Sequence, residues 1–173
     1  MAVRAGTLHN VSMQWLTREW ASGEIDDAEW DLRWRDYQSH RTAVLPRLRD
    51  GAERLIQGVN LRDGQIQSFE HRPGGALVLR ALVGDLQVGY EFVELSFVGA
   101  ELRLEPGATI DSLRFYDAET EILYDEVDVQ TDGRFVHRVL LWPQGEYEVA
   151  FTSLTERREE ASPSDRRFRE PAT

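Results

Sequence analysis

The chain reads I-L-Y-D-E-V-D-V-Q at 122–130, T-D-G at 131–133 and R-F-V-H-R-V-L-L-W at 134–142, followed by P-Q-G at 143–145 and E-Y-E-V-A-F-T-S-L at 146–154. Three runs of β-type residues are separated by two short turns, each closing on a glycine. Glycine accepts the left-handed conformation that ends a three-residue hairpin loop. With 131–133 as the first loop, Val129 faces Phe135, Val127 faces His137, Asp125 faces Val139 and Leu123 faces Leu141. With 143–145 as the second, Leu141 faces Tyr147, Val139 faces Val149 and His137 faces Phe151. Both turns place Leu, Val, Phe and Tyr on one shared face, which a one-residue slip would scramble. The stretch is an antiparallel meander with one buried face.

Upstream of it the period of two continues. Turns at Asp63-Gly64, Pro73-Gly74-Gly75 and Gly84-Asp85 separate expected strands at 65–71, 76–83 and 86–98, with shorter ones at 101–104 and 112–116. Apolar parity changes after Gly89, so a bulge or bend is expected there. Seven or eight antiparallel strands are too many for a small open sheet. A curled sheet or a two-layer arrangement follows.

The first third reads as helical instead. Residues 12–21 carry Trp15, Leu16 and Trp20 about a turn apart, and Asp26-x-x-Glu29 has the capping-box pattern ahead of a helix over 27–44. Leu45-Pro46 breaks that helix, and a third over 47–56 is expected. Trp30 and Trp34 are expected to bolt helices to sheet, at about 3–5 kcal/mol each if truncated. The fold class is α+β: N-terminal helices packed on a curled antiparallel sheet, in one domain over 1–155. The charged residues 156–173 are expected to be loose.

Composition narrows the function. The chain has 173 residues, no cysteine and a net charge of −11. Disulfides, thiolate nucleophiles and cysteine metal sites are therefore excluded. All twenty basic residues are arginine, so Schiff-base and P-loop lysines are excluded too. The charges after Thr155 sum to zero, which puts the whole deficit on the body. Such a surface repels phosphate backbones and favours a basic protein partner over nucleic acid. Residues 1–10 lack a secretory core and no run has the length of a membrane span, so a cytoplasmic location is expected, with no membrane contact.

Two constellations stand out. Asp125 and His137 fall diagonally on the same otherwise apolar face of neighbouring strands, within side-chain reach. A carboxylate fixing an imidazole is either a mutually satisfied buried contact or the skeleton of a general base or metal-ligand pair. No serine or second histidine stands at a spacing that completes a catalytic set, so no catalytic residue is assigned. The second constellation is Asp117, Glu119 and Glu121, continuing to Asp125, Glu126 and Asp128. It imitates the ligand spacing of a calcium loop, but Ile122 occupies the position that needs glycine. An acidic docking rim is the alternative. Glu126 opposite Arg138 reads as an exposed cross-strand pair. The histidines at 9, 40, 71 and 137 show no zinc spacing, and no dinucleotide, phosphate-loop or nucleophile-elbow motif occurs. No cofactor or metal is expected.

Several pieces form one pattern: aromatic-rich helices ending in Leu45-Pro46, then Leu61, Asp63 and Gly64, then L-Y-D-E-V at 123–127, F-x-H-R-x-L-L at 135–141 and E-Y-E-V-x-F at 146–151. Over residues 15–154 the chain resembles an uncharacterised bacterial family of unknown function, some of whose relatives sit among toxin-immunity-like genes. Position 62, usually His in that pattern, is Arg62 here. The acidic body and the lack of a catalytic set point to a non-enzymatic protein-binding module, and the resemblance adds an immunity or inhibitor type acting on a basic partner. A small-ligand binder or weak hydrolase using the concave side of the sheet is the alternative.

Overall fold

The computed structural model describes residues 11–168. The expectations for the N-terminal ten residues, including His9, and for Arg169 and Glu170 of the tail lie outside that range. Eight strands run in chain order: β1 (Gln65–His71), β2 (Leu77–Asp85), β3 (Gly89–Val98), β4 (Glu101–Leu104), β5 (Glu121–Val129), β6 (Phe135–Trp142), β7 (Glu146–Phe151) and β8 (Ser153–Ala161). The α+β class holds, but the single curled sheet becomes two antiparallel sheets of four strands, ordered β1-β2-β3-β8 and β4-β7-β6-β5. Their inner faces bury Leu79, Leu95 and Phe97 from one sheet against Val139, Val149 and Phe151 from the other.

The two sheets are joined at a corner. The β3–β8 ladder ends at Val98 opposite Ser153, and the β4–β7 ladder begins at Glu101 opposite Ala150. The paired chains bend together there, with Thr152 N–H donating to the Val98 carbonyl at 2.9 Å. Gly99, at φ 62°, makes the bend possible, because a Cβ there would sit 2.8 Å from Thr152 Oγ1. Along the opposite seam Gly64 bridges Ile122, closing β1 against β5.

The β5–β6 register is the expected one from Asp125–Val139 to Val129–Phe135, but a bulge at Leu123 puts Ile122 opposite Leu141. The β6–β7 pairing is two residues from expectation: Val139 faces Tyr147, His137 faces Val149 and Phe135 faces Phe151. The connection is longer than three residues, with Leu141 N–H bonded to the Gly145 carbonyl. A slip of two preserves the face of every side chain, so the buried set survives.

Other expectations change. Residues 112–116 form no strand; a 3₁₀ turn occupies Asp111–Leu113. Gly89 does not interrupt a strand but opens β3 after the Asp85–Gly89 hairpin. Phe92 points outward under the Arg80 guanidinium, 4.2 Å from its ring centre, while Val93, Leu95 and Phe97 point in. The charged tail is not loose through Ala161: it is β8, an edge strand paired along all of β3. Beyond it, Gln65 clamps the backbone of Arg167 through both side-chain atoms, at 2.8 and 2.9 Å.

Three helices precede the strands: α1 (Arg18–Ser22), α2 (Asp27–Val44) and α3 (Arg54–Gln57). The Asp26 side chain caps α2 by accepting from Glu29 N–H. Helix α1 is shorter than expected because residues 11–17 run across the sheet as a strap. Helix α3 is likewise a single turn, preceded by a 3₁₀ turn at Leu45–Arg47. The helical layer covers the outer face of β5 and β6, where Met13, Leu16, Trp20, Tyr37 and Leu140 form a second core. Trp20 is the buried bolt, stacked on Trp30 at 4.8 Å and edge-on to Tyr124 at 5.1 Å. Trp34, expected in that role, is 38% exposed. No helix among the described residues is long and apolar enough to cross a membrane.

Candidate functional site

Strand β5 is a sheet edge, and α2 covers it. Tyr37 OH donates to the Asp125 carbonyl at 3.1 Å, and His40 Nε2 donates to that of Val127 at 3.0 Å. These side chains satisfy carbonyls that an open edge would leave bare. Below them, α2 and residues 55–62 stand apart enough to leave a cleft of about 500 Å³ beside β5. Its walls carry Trp34, Tyr37, Arg41, Arg62 and Tyr124, with Asp125 reaching its surface.

The arginines of this cleft sit over rings. The Arg62 guanidinium lies 4.9 Å from the Tyr124 ring centre, and that of Arg41 lies 5.9 Å from that of Tyr37. Arg41 also donates to the Ile56 carbonyl at 3.1 Å, tying α2 to the segment opposite. Burial, reinforced by the negative charge of Asp125, pushes the Tyr37 hydroxyl well above its ordinary range, so it stays a donor.

The Asp125–His137 pair forms as the register requires, Nε2 to Oδ2 at 2.8 Å. The imidazole is fully buried and stacked against Phe97 at 5.8 Å, whereas the carboxylate is 24% exposed. The histidine is thus sealed between the sheets and only its partner reaches the cleft. The ring holds the carboxylate in place; it is not positioned to take a proton from a bound molecule. His137 Nδ1 and the Tyr147 hydroxyl, also inside the sandwich, have no hydrogen-bond partner among the described residues.

The remaining candidates are not brought to this site. Asp117 pairs with Arg114 at 2.5 Å, and Glu121 pairs with Arg166. Glu119 is exposed on the intervening turn. The expected acidic rim is therefore substantially neutralised by arginine, and no group of three metal-ligating side chains assembles among the described residues.

Glu126 corrects the sequence reading most sharply. It is 1% exposed, and its carboxylate accepts the consecutive backbone N–H groups of Gln14, Trp15 and Leu16 at 2.9, 2.8 and 2.7 Å. Glu146 accepts from Met13 N–H at 3.1 Å, and Arg18 bonds the carbonyls of Leu141, Pro143 and Gly145. The strap is pinned by charged side chains at both ends. Burial raises the Glu126 carboxyl above its ordinary range, and the three amides oppose that rise.

Of the cleft residues only Asp125 is singled out as a site by the sequence, through the strand register; the others come from distant segments. Arg41, Arg62 and Trp34 carry no motif; the one usable signal was the cluster of aromatic residues on the α2 segment. Comparison with protein-family models, with curated proteins and with solved structures finds no match for this chain.

Proposed function

We propose that this protein is a non-enzymatic binder of a small organic molecule, held in the cleft between α2, residues 55–62 and β5. The observation that carries the reading is the half-exposed Trp34 facing the same cleft as two ring-stacked arginines. A cleft of about 500 Å³ with aromatic walls and a few fixed polar groups has the size and lining of small-molecule sites. The sealed imidazole favours binding over hydrolysis, because a general base must reach its proton.

The test is a titration with a mixed set of aromatic acids, neutral aromatics and amines, followed by backbone amide shifts. Shifts should cluster on residues 34–41, 55–62 and 124–125. Trp34→Ala should weaken the binding at least tenfold while lowering stability by about 2–3 kcal/mol, less than loss of a fully buried ring, since part of the ring is solvated already. Perturbations confined to another surface, or none, would remove the reading.

A second reading, docking of a basic protein in the manner of an immunity factor, is favoured by one observation. The outer side of α2 exposes Asp27, Asp31 and Asp36 beside Leu32, which is 51% exposed. Its test is whether a basic partner binds in a salt-dependent way that is lost when the three aspartates become asparagine.

A further inference from the structure

Resting on the small-ligand reading, we infer that the cleft takes a flat organic acid carrying one negative charge, an aromatic or heteroaromatic monocarboxylate. In a chain of net charge −11, eleven arginines among the described residues form ion pairs, among them Arg33, Arg54, Arg103 and Arg158. Seven described arginines form none, and two of these, Arg41 and Arg62, line this cleft.

Their placement suits an anion. A guanidinium over a tyrosine ring is held by the ring face and keeps its N–H edge for a planar acceptor. Arg41 commits one nitrogen to the Ile56 carbonyl, and a guanidinium has five N–H donors. A carboxylate matches that edge in shape and charge, and a guanidinium anchored beforehand loses little freedom on binding.

The same walls set the rest of the ligand. Trp34, 38% exposed, offers the open ring, with Leu55, Ile56 and Val59 as further apolar lining, whereas the rings of Tyr37 and Tyr124 already lie under the two arginines. Flat apolar surface is matched by a flat apolar body. Asp125 limits the charge. One oxygen is taken by His137, and the carboxylate would repel a second anionic group while accepting an N–H or O–H from the ligand. A dianion is disfavoured by Asp125, and a cation by the two arginines.

The test compares 2-naphthoate with its neutral analogue 2-naphthamide by isothermal titration calorimetry at low salt. The acid should bind the wild-type protein at least tenfold more tightly, and its advantage should shrink as salt is added. In the Arg41→Gln/Arg62→Gln double variant the acid-to-amide affinity ratio should fall to about one, with a cooperative thermal melt of the same variant separating loss of charge from loss of fold. Equal affinity of the two compounds for the wild-type protein overturns the assignment of an acid and leaves the small-ligand reading standing. Failure of both compounds, with shifts only from the neutral aromatics or amines of the mixed set, overturns the aromatic acid class alone. Failure of everything overturns both readings.

Discussion

The sheet β4-β7-β6-β5 buries its inner face and, away from its β4 edge, most of its outer face, and the two are built oppositely. On the inner face the cross-strand rows run Val127–His137–Val149–Leu102 and Asp125–Val139–Tyr147–Leu104, apolar but for one polar pair and a tyrosine hydroxyl. On the outer face one row runs Glu126–Arg138–Glu148–Arg103, alternating in sign across all four strands. Arg138 and Arg103 both bond Glu148, at 2.9 and 2.7 Å, and the strap supplies Glu126 with amides. Alternation along a strand sorts side chains between faces but leaves open which face is wet. That depends on whether another segment brings enough donors and acceptors to satisfy the polar side.

The largest effect is expected on the inner face. Phe151→Ala removes a fully buried ring packed on Phe97 and Phe135, and should cost about 3–5 kcal/mol in urea unfolding. On the outer face, Glu126→Ala strands three strap amides and removes one of the negative charges around Arg138, which keeps Glu148. We expect a cost of about 3 kcal/mol, with accelerated hydrogen exchange at residues 14–16. A cost below about 1 kcal/mol, the value of a surface ion pair, would mean the outer face is wet and the contrast drawn above is wrong.

His137→Gln comes next, at about 1–2 kcal/mol, since the buried bond to Asp125 is weakened but not replaced by a void. Because the ring is sealed from the cleft, ligand affinity of the folded protein should change less than twofold. A large loss of affinity at unchanged stability would transfer the site to the imidazole. The smallest effect concerns Glu101, whose carboxyl is held down at about 2 by hydrogen bonds from Arg103 and Arg134. Its folded value lies below the ordinary 4.5, so its contribution is present above pH 4.5 and is lost as pH falls towards 2. The side chain is 51% exposed, so solvent screening keeps the contribution under about 1 kcal/mol. Glu101→Gln should flatten the stability profile over that acid limb alone.

What the sequence disclosed follows from these same forces. The β5–β6 register was legible because Val127, Val129, Phe135 and Val139 share one parity and a glycine turn fixes the offset. The β6–β7 offset was not, because a slip of two leaves parity intact. Strand β8 was hidden by its composition. At a sheet edge its outward residues are solvated, and Arg157 and Arg158 lie opposite Glu94 and Val93 of β3, so backbone pairing holds it without an apolar stripe. The Asp125–His137 contact needed only the register and was found. The cleft needed the placement of α2 and of residues 55–62 against β5, which no local period encodes.

The strap also has a consequence in time. Its acceptor Glu126 lies 110 residues downstream of Leu16. On a translating ribosome, at about 5–20 residues per second, residues 14–16 precede that acceptor by roughly 5–20 seconds. Through that interval Leu16 and Trp20 have no β5–β6 surface to cover. The first described segment of the chain is thus among the last to find its place, and a nascent chain stopped before β6 would present those apolar side chains to chaperones.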